Sequence, residues 1–308
     1  MNLDQLRAFH TVTQYGTISR ATSALALTQS AVSRQLQALE AEVGARLFTR
    51  EGRTMTLTEA GRLLLEHADL VFGAITRARE AIDGLQGLER GHLRVGAAST
   101  IGTYLLPPLL GRFKSTRPGI DVTLEVANKA QTLERLRRGH IELGFVGPRV
   151  LMDDFEQEPY LTDDLGLITA PSHPLAHARR VRARDLASEV FITREPGSGT
   201  REIVEEELAR ARVELRRLME VGSTEAIKQA VAANLGVSIV SRYAVVLETQ
   251  VNRLCFTPVA DLKLTRQLFV IYHRRRPLSH AGAAFLELLR TPDHVATLKK
   301  HRRRRRRS

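Results

Sequence analysis

The chain has 308 residues, 43% hydrophobic and 26% charged, the balance of a folded protein with sizeable cores and not of a disordered or membrane chain. Its formal charge of +12 suggests nucleic acid, yet eight positive charges sit in the last ten residues, KKHRRRRRRS, so bulk charge says little about the rest. No run of about 18 apolar residues occurs, the start MNLDQLRAFHTV lacks the pattern of a secretory signal, and a single cysteine, Cys255, excludes an internal disulfide and a thiolate zinc cluster, so a cytoplasmic protein with no membrane partner is expected.

Leu3, Leu6, Phe9 and Val12 recur at threes, so the chain opens with an amphipathic helix that Gly16 ends. The next stretch, GTISRATSALALTQSAVSRQLQALEAEVGARLFTREGR, holds two short helical patterns meeting at a tight turn near Ala26 and Leu27. Ala21, Ala24 and Leu25 share one face of the first, and Val32, Leu36 and Leu39 one face of the second. Thr28 stands where an N-cap hydroxyl belongs. Burying the apolar face leaves Gln29, Ser30, Ser33, Arg34 and the adjacent Gln35 as groups suited to base edges and phosphates, in the arrangement of a helix-turn-helix. LFTREGRTMTL then reads as a hairpin wing around Glu51-Gly52 that carries Arg50 and Arg53 toward a DNA backbone. Spacing alone also admits two small packed helices with solvated polar faces.

From Thr58, an N-cap followed by Glu59, a proline-free pattern continues to about Leu88. Leu64, His67, Val71, Ala74, Ala78, Ile82 and Leu85 step by three and four, a heptad-like seam. A helix of ~30 residues is ~45 Å long, too long to bury its stripe against one small domain, so a second copy of the chain is the expected partner. Paired recognition helices also match half-sites one duplex turn apart.

The texture changes at Gly91. HLRVGAAS, IDVTLEVAN and IELGFVGP read as strands, separated by the helical TIGTYLLPPLLGRFKSTRP and QTLERLRRG. A second unit follows, with strands LGLITAP, VFITREP, VELRRLMEV and VSIVS and helices GTREIVEEELARARV and STEAIKQAVAANLG. RQLFVIYHR is a strand that returns to the first unit, before a last helix, SHAGAAFLELLR, capped by Ser279. This alternation predicts an α/β domain with a mainly parallel sheet, in two hinged halves around a cleft. The expected domains are residues 1–58, a helix-turn-helix with its wing; 59–90, a linker helix; 91–298, an α/β domain with one half at 91–161 and 267–298 and the other at 162–266; and 299–308, a disordered basic tail.

Open α/β sheets bind ligands beyond their strand ends, and helix starts there favour small anions. Three such starts are predicted: Ser99 with Thr100; Thr132, after Asn128; and Pro196 to Thr200, including Ser198, with Arg201 adjacent for a carboxylate or phosphate. Each hydroxyl also reads, singly, as a plain helix cap.

LTQSAVSRQLQALEAEVGARLFTR followed by LTEAG resembles the N-terminal signature of the LysR-type transcriptional regulators. STIGTYLLP, REPGSGTRE and STEAIKQAV resemble the subgroup that regulates carbon-fixation and sulfur-assimilation operons, so the likeness covers nearly the whole chain except the arginine tail. A departure is Thr17 to Thr22, where the family usually has a serine, an aromatic residue and paired alanines; Thr22 is expected to loosen the first motif helix. The resemblance implies α/β architecture overall: a winged helix-turn-helix and long linker helix, then two Rossmann-like subdomains as in periplasmic binding proteins. It implies effector contacts at Ser99, Thr100 and Thr200, with Gly147 on the cleft floor. It further implies promoter DNA and RNA polymerase as partners, a homodimer or homotetramer that bends DNA, and no cofactor beyond a small co-inducer.

Two other classes compete. An enzyme is disfavoured: GSG at Ser198 is not a nucleophile elbow, no P-loop or dinucleotide fingerprint occurs, and Pro174 between His173 and His177 argues against a metal-binding helix. A free-standing solute-binding protein is disfavoured by the missing export signal and the N-terminal helix-turn-helix.

Overall fold

The computed structural model describes residues 1–51, 54–85 and 90–291. The predicted wing tip at Gly52 and Arg53, the linker at 86–89 and the basic tail at 299–308 lie outside the described residues. One compact unit holds residues 1–79 with 138–140, and the rest of the chain belongs to a second.

The first unit contains α1 (Leu3–Tyr15), α2 (Ile18–Leu25), α3 (Gln29–Val43), the hairpin β1 (Phe48–Glu51) and β2 (Thr54–Leu57), and the start of α4 (Glu59–Leu85). Its helices begin and end on local signals. Asn2 and Gln5 close a reciprocal capping box on α1, and the Thr17 hydroxyl accepts the Arg20 amide at the start of α2. Ala26 turns the chain at φ 52, a left-handed conformation that costs a residue with a Cβ about 1–2 kcal/mol. The core offsets that cost with Phe9, Val12, Ile18, Ala21, Val32, Leu36, Leu39 and Phe48, the rings of Phe9 and Phe48 lying 5.3 Å apart. Ala24 departs from expectation: it is exposed, because α2 buries the Ile18–Ala21 row and half-buries Leu25, leaving residue 24 rotated toward solvent. Thr22 donates its hydroxyl to the Ser19 carbonyl at 2.7 Å, which satisfies it without opening the motif.

Thr58 starts α4, its oxygen accepting the Gly61 amide at 3.0 Å. Of the predicted seam, Leu64 packs half-buried against the core, while His67, Val71, Ala74, Ala78 and Ile82 are all exposed in the single chain, Ile82 at 57%.

The second unit runs β3 (Gly91–Ala98), α5 (Ser99–Tyr104), α6 (Leu106–Thr116), β4 (Ile120–Ala127), α7 (Lys129–Arg138), β5 (Leu143–Val146), β6 (Phe155–Thr169), β7 (Val190–Arg194), α8 (Gly199–Arg210), β8 (Arg216–Val221), α9 (Thr224–Ala232), β9 (Ser238–Ser241), α10 (Val246–Gln250), β10 (Cys255–Thr257), β11 (Thr265–His273) and α11 (His280–Arg290). The single helix predicted over 100–118 is two, because the chain breaks at Leu105 and Pro107 and Pro108 open a new helix, where a missing N–H costs nothing.

The sheet corrects the expectation of mainly parallel pairing. Seven strands run β10-β6-β11-β5-β3-β4, with β9 also beside β6. Only β4, β3 and β5 pair in parallel within it; β6 pairs antiparallel with β9, β10 and β11, and β11 antiparallel with β5. β11, which comes last of these strands in the chain, lies between β5 and β6 and runs antiparallel to both, so the antiparallel pairing comes from a returning strand and not from a helical crossover between sheet neighbours. The 15-residue β6 and its partner β11 cross from one half to the other. One core gathers Phe113, Phe145 and Phe285, edge to face at 5.1 and 6.3 Å. A second gathers Leu167, Phe191, Leu208 and Ile239 beside the small parallel pair β7–β8.

Candidate functional site

The first candidate surface is the outer face of α3. Thr28 caps it, its hydroxyl oxygen accepting the Ala31 amide at 3.2 Å and lying 3.1 Å from the Ser30 hydroxyl. Burial of Val32, Leu36 and Leu39 turns Thr28, Gln29, Ser30 and Arg34 to solvent, with Ser33 half-buried. Arg34 lies back on its own helix, its Nε donating to the Ser30 carbonyl at 3.4 Å. Gln35 is the exception: it is half-buried, and its Oε1 is enclosed without a hydrogen-bond partner among the described residues, because residue 35 flanks the buried Leu36 and Leu39 row. Gln37, which the sequence reading passed over, is exposed one turn beyond Arg34. Arg50 belongs to β1, but its side chain, like the whole of Arg53, lies outside the described residues.

The second is a cavity in the cleft of the α/β unit, where the ends of β3, β5 and β7 meet the start of α8. It is lined by Ser99, Thr100, Gly147, Ser198 and Thr200, which the sequence singled out, and also by Asn128, Lys129, Arg194 and Arg266, which it did not. Gly199 makes the approach possible, since a Cβ there would collide with the Gly147 carbonyl oxygen. Ser198 caps α8 without a side-chain bond, so the first amides of this 12-residue helix stay available to an acceptor.

The two arginines organise the polar groups. Arg194 is 5% exposed; it binds both Glu195 carboxylate oxygens at 2.7 and 2.8 Å, the Thr224 hydroxyl at 2.8 Å, and, across the cleft, the Ser99 hydroxyl at 3.2 Å. Arg266 pairs with the fully buried Asp163 at 2.8 and 2.9 Å and donates to the Thr200 hydroxyl at 3.0 Å. Ser241 donates to the other Asp163 oxygen at 2.6 Å. The halves also touch through Lys129 and Glu202 at 2.6 Å and through the Ala130 amide on the Gly197 carbonyl at 3.3 Å. Every fixed cation here thus has a carboxylate partner. An added anion would be held by hydroxyls, amides and the outer rim of ion pairs rather than by bare charge.

Two predicted residues are turned elsewhere. Arg201 follows Thr200 by about 100° of helix and points away from the cavity, its guanidinium held by Glu205 at 2.9 Å, Glu220 at 2.5 Å and the Arg194 carbonyl at 2.8 Å. Thr132 does not begin a helix. Asn128 caps α7 by accepting the Gln131 amide at 2.9 Å, which puts Thr132 inside the first turns, where its hydroxyl returns to the Asn128 carbonyl at 2.8 Å. Thr132 is buried and does not line the cavity.

A winged helix-turn-helix followed by a two-halved α/β domain with a polar cleft defines a class of ligand-responsive DNA-binding regulator. Residues 3–62 match the bacterial regulatory helix-turn-helix protein, lysR family, and residues 86–292 match the LysR substrate binding domain. The chain belongs to the LysR family and is a transcriptional regulator with an effector-binding domain. It is 35% identical over 296 residues to the HTH-type transcriptional activator CmpR of Synechocystis sp. (strain PCC 6803), covering 96% of this chain and 97% of that one. It is 35% identical over 289 residues to the RuBisCO operon transcriptional regulator of Allochromatium vinosum, covering 94% and 95%. Its α/β unit is similar to the regulatory domain of Synechocystis CcmR in complex with 2-PG, with TM-score 0.62, 34% identity, and 65% of this chain and 96% of that one covered. The crystal structure of CbnR, a LysR family transcriptional regulator, has the same fold at TM-score 0.73 and 24% identity, covering 94% and 98%.

Proposed function

We propose that this regulator binds promoter DNA through α3 and the wing, and that a small anionic metabolite in the cleft alters that binding or the bend it imposes. Thr28, Gln29, Ser30, Ser33, Arg34, Gln37, Arg50 and Arg53 are the proposed DNA contacts; Gln35 is assigned to packing. Ser99, Thr100, Gly147, Ser198 and Thr200, joined by Arg194 and Arg266, are the proposed effector site. The exposed α4 seam supports a homodimer, and two dimers form the proposed tetramer. The domain limits remain those read from the sequence, with the halves divided near Leu161 and Leu268, which face each other where β6 and β11 cross. The chain acts in the cytoplasm, on DNA and RNA polymerase, and is not an enzyme.

One observation carries the reading. Ser99 and Arg194, from opposite halves, share a hydrogen bond at the edge of a cavity that α8 addresses with its amide end. A ligand inserted there changes the contacts between halves, and such differential contact is what shifts a conformational equilibrium. That the CcmR domain is similar and holds 2-PG, 2-phosphoglycolate, supports an anion. The Thr200→Val variant removes the hydroxyl that Arg266 reaches and leaves α3 untouched. It is expected to bind promoter DNA as the wild type does while losing at least about tenfold in effector affinity; an unchanged effector response would contradict the site.

A further inference from the structure

Beside the inner cavity a wider one opens, sharing Ser99 and Asn128 as a common wall. The free volumes are about 10 Å³ for the inner cavity and about 450 Å³ for the outer. The inner one therefore admits roughly one water-sized group, whereas the outer one has the size of a metabolite site. An anionic group reaching toward Arg194 and the start of α8 must leave the rest of its molecule in the outer pocket.

The far wall of that pocket is built by Tyr104 at the end of α5 and Glu225 in the first turn of α9, one from each half. The Tyr104 hydroxyl donates to Glu225 and accepts from the Lys228 Nζ at 3.2 Å. Lys228 is buried and saturated: its ammonium meets Glu225 at 2.8 Å, Glu248 at 2.7 Å and the Ala244 carbonyl at 2.9 Å. One ammonium against two carboxylates leaves this cluster with a net negative charge. Burial, with Glu225 next, pushes the Tyr104 phenol up to about 12, so it stays a proton donor at neutral pH. Against burial, which pushes it up, bonds from Lys228 and Tyr104 hold the Glu225 carboxyl below its ordinary range, so it is ionised. Its side chain is 52% exposed, with acceptor capacity left for the pocket. Glu195, the other carboxylate on this pocket, is likewise acceptor-only and already neutralised by Arg194.

A ligand that fills both cavities thus meets amides and hydroxyls at its inner end and, beside the neutral Thr103, Gln131 and Ser223 side chains, the Glu195 and Glu225 carboxylate acceptors at its outer end. We infer that the effector carries a hydrogen-bond-donating group, a hydroxyl or an ammonium, remote from its anionic group, and that Glu225 selects for it over a second carboxylate. This rests on the reading of the cleft as an anion site and narrows its ligand class. A second carboxylate would face a net negative wall on a pocket that no cation lines among the described residues, whereas a donor gains a charge-assisted hydrogen bond.

The test is calorimetric titration of the full-length protein with four probes: inorganic phosphate, 2-phosphoglycolate, glycerol 3-phosphate and O-phosphoethanolamine. The last two are expected to bind at least about tenfold more tightly than 2-phosphoglycolate, and that ratio is expected to collapse toward one in Glu225→Gln. Equal or tighter binding of 2-phosphoglycolate overturns the inference and leaves the anion site standing. A preference that survives in Glu225→Gln also overturns it, since Glu225 is then not the selector. If none of the four binds, the anion reading falls and the inference falls with it. The wild-type series alone can overturn the ligand class even if the variant does not fold.

Discussion

Glu158 shows how single contacts in this chain translate into measurable behaviour. Arg290, at the last turn of α11, reaches both oxygens of Glu158 on β6, at 2.5 and 3.0 Å, and the Tyr272 hydroxyl adds a third bond at 2.8 Å. Arg290 first, against burial, and then Tyr272 hold the Glu158 carboxyl below its ordinary range. A carboxylate with a depressed pKa adds stability above its unfolded value and loses it as pH falls through its folded value. Glu158→Gln should therefore melt about 1–3 °C below the wild type at pH 7, since a partly exposed ion pair contributes under about 1 kcal/mol. The gap should close as pH drops below about 4; a gap of the same size in acid would mean the charge is not responsible. Residues of this kind are hard to read in advance. Arg194 and Arg266 sit in VFITR and RQLFVIY, where an arginine ending or opening an apolar strand looks like a solvated terminus. Only their burial, and partners 30 to 103 positions distant, reveal them as cleft residues. Ser99, Thr100, Ser198 and Thr200 were legible because the strand-then-hydroxyl pattern is local; Arg201 and Thr132 followed the same pattern, and helix rotation and a cap four residues upstream turned them away.

At the scale of elements, helices were legible and the crossing strands were not. Periodicity, Thr28, Thr58 and Ser279 place α3, α4 and α11 by signals lying within a few residues. The strand pattern of β6 is visible only from Leu165, because its first part, FEQEPYLTDD, is polar and contains a proline. Pro159 is tolerated there, opposite Phe269, where the register with β11 shifts. Antiparallel pairing of distant segments leaves no local trace, which is why the sheet proved mixed. The seam of α4 makes its own prediction. Val71, Ala74 and Ile82 form an exposed apolar row whose burial against a second copy would contribute several kcal/mol. Val71→Glu is expected to shift the protein toward monomer in sedimentation at micromolar concentration while leaving its helical circular dichroism signal intact. An unchanged oligomeric state would move the dimer interface elsewhere.

The molecule as a whole carries two separately built devices: a recognition helix fixed by a small aromatic core, and a cleft whose halves are tied by two crossing strands and a few polar bridges. Coupling between DNA and effector is a free-energy difference and must be reciprocal, so whatever factor the effector imposes on DNA affinity, DNA imposes on effector affinity. The most direct test is a fluorescence anisotropy titration of the full-length protein at moderate salt. It compares the promoter duplex adjoining its own gene with a shuffled duplex of equal length, each with and without a saturating amount of whichever phosphate probe binds best. The promoter is expected to bind at least about a thousandfold more tightly than the shuffled sequence, with a shift of about fivefold or more on adding the anion. Equal affinity for both duplexes, or a promoter curve unmoved by an anion that demonstrably occupies the protein, would contradict this reading.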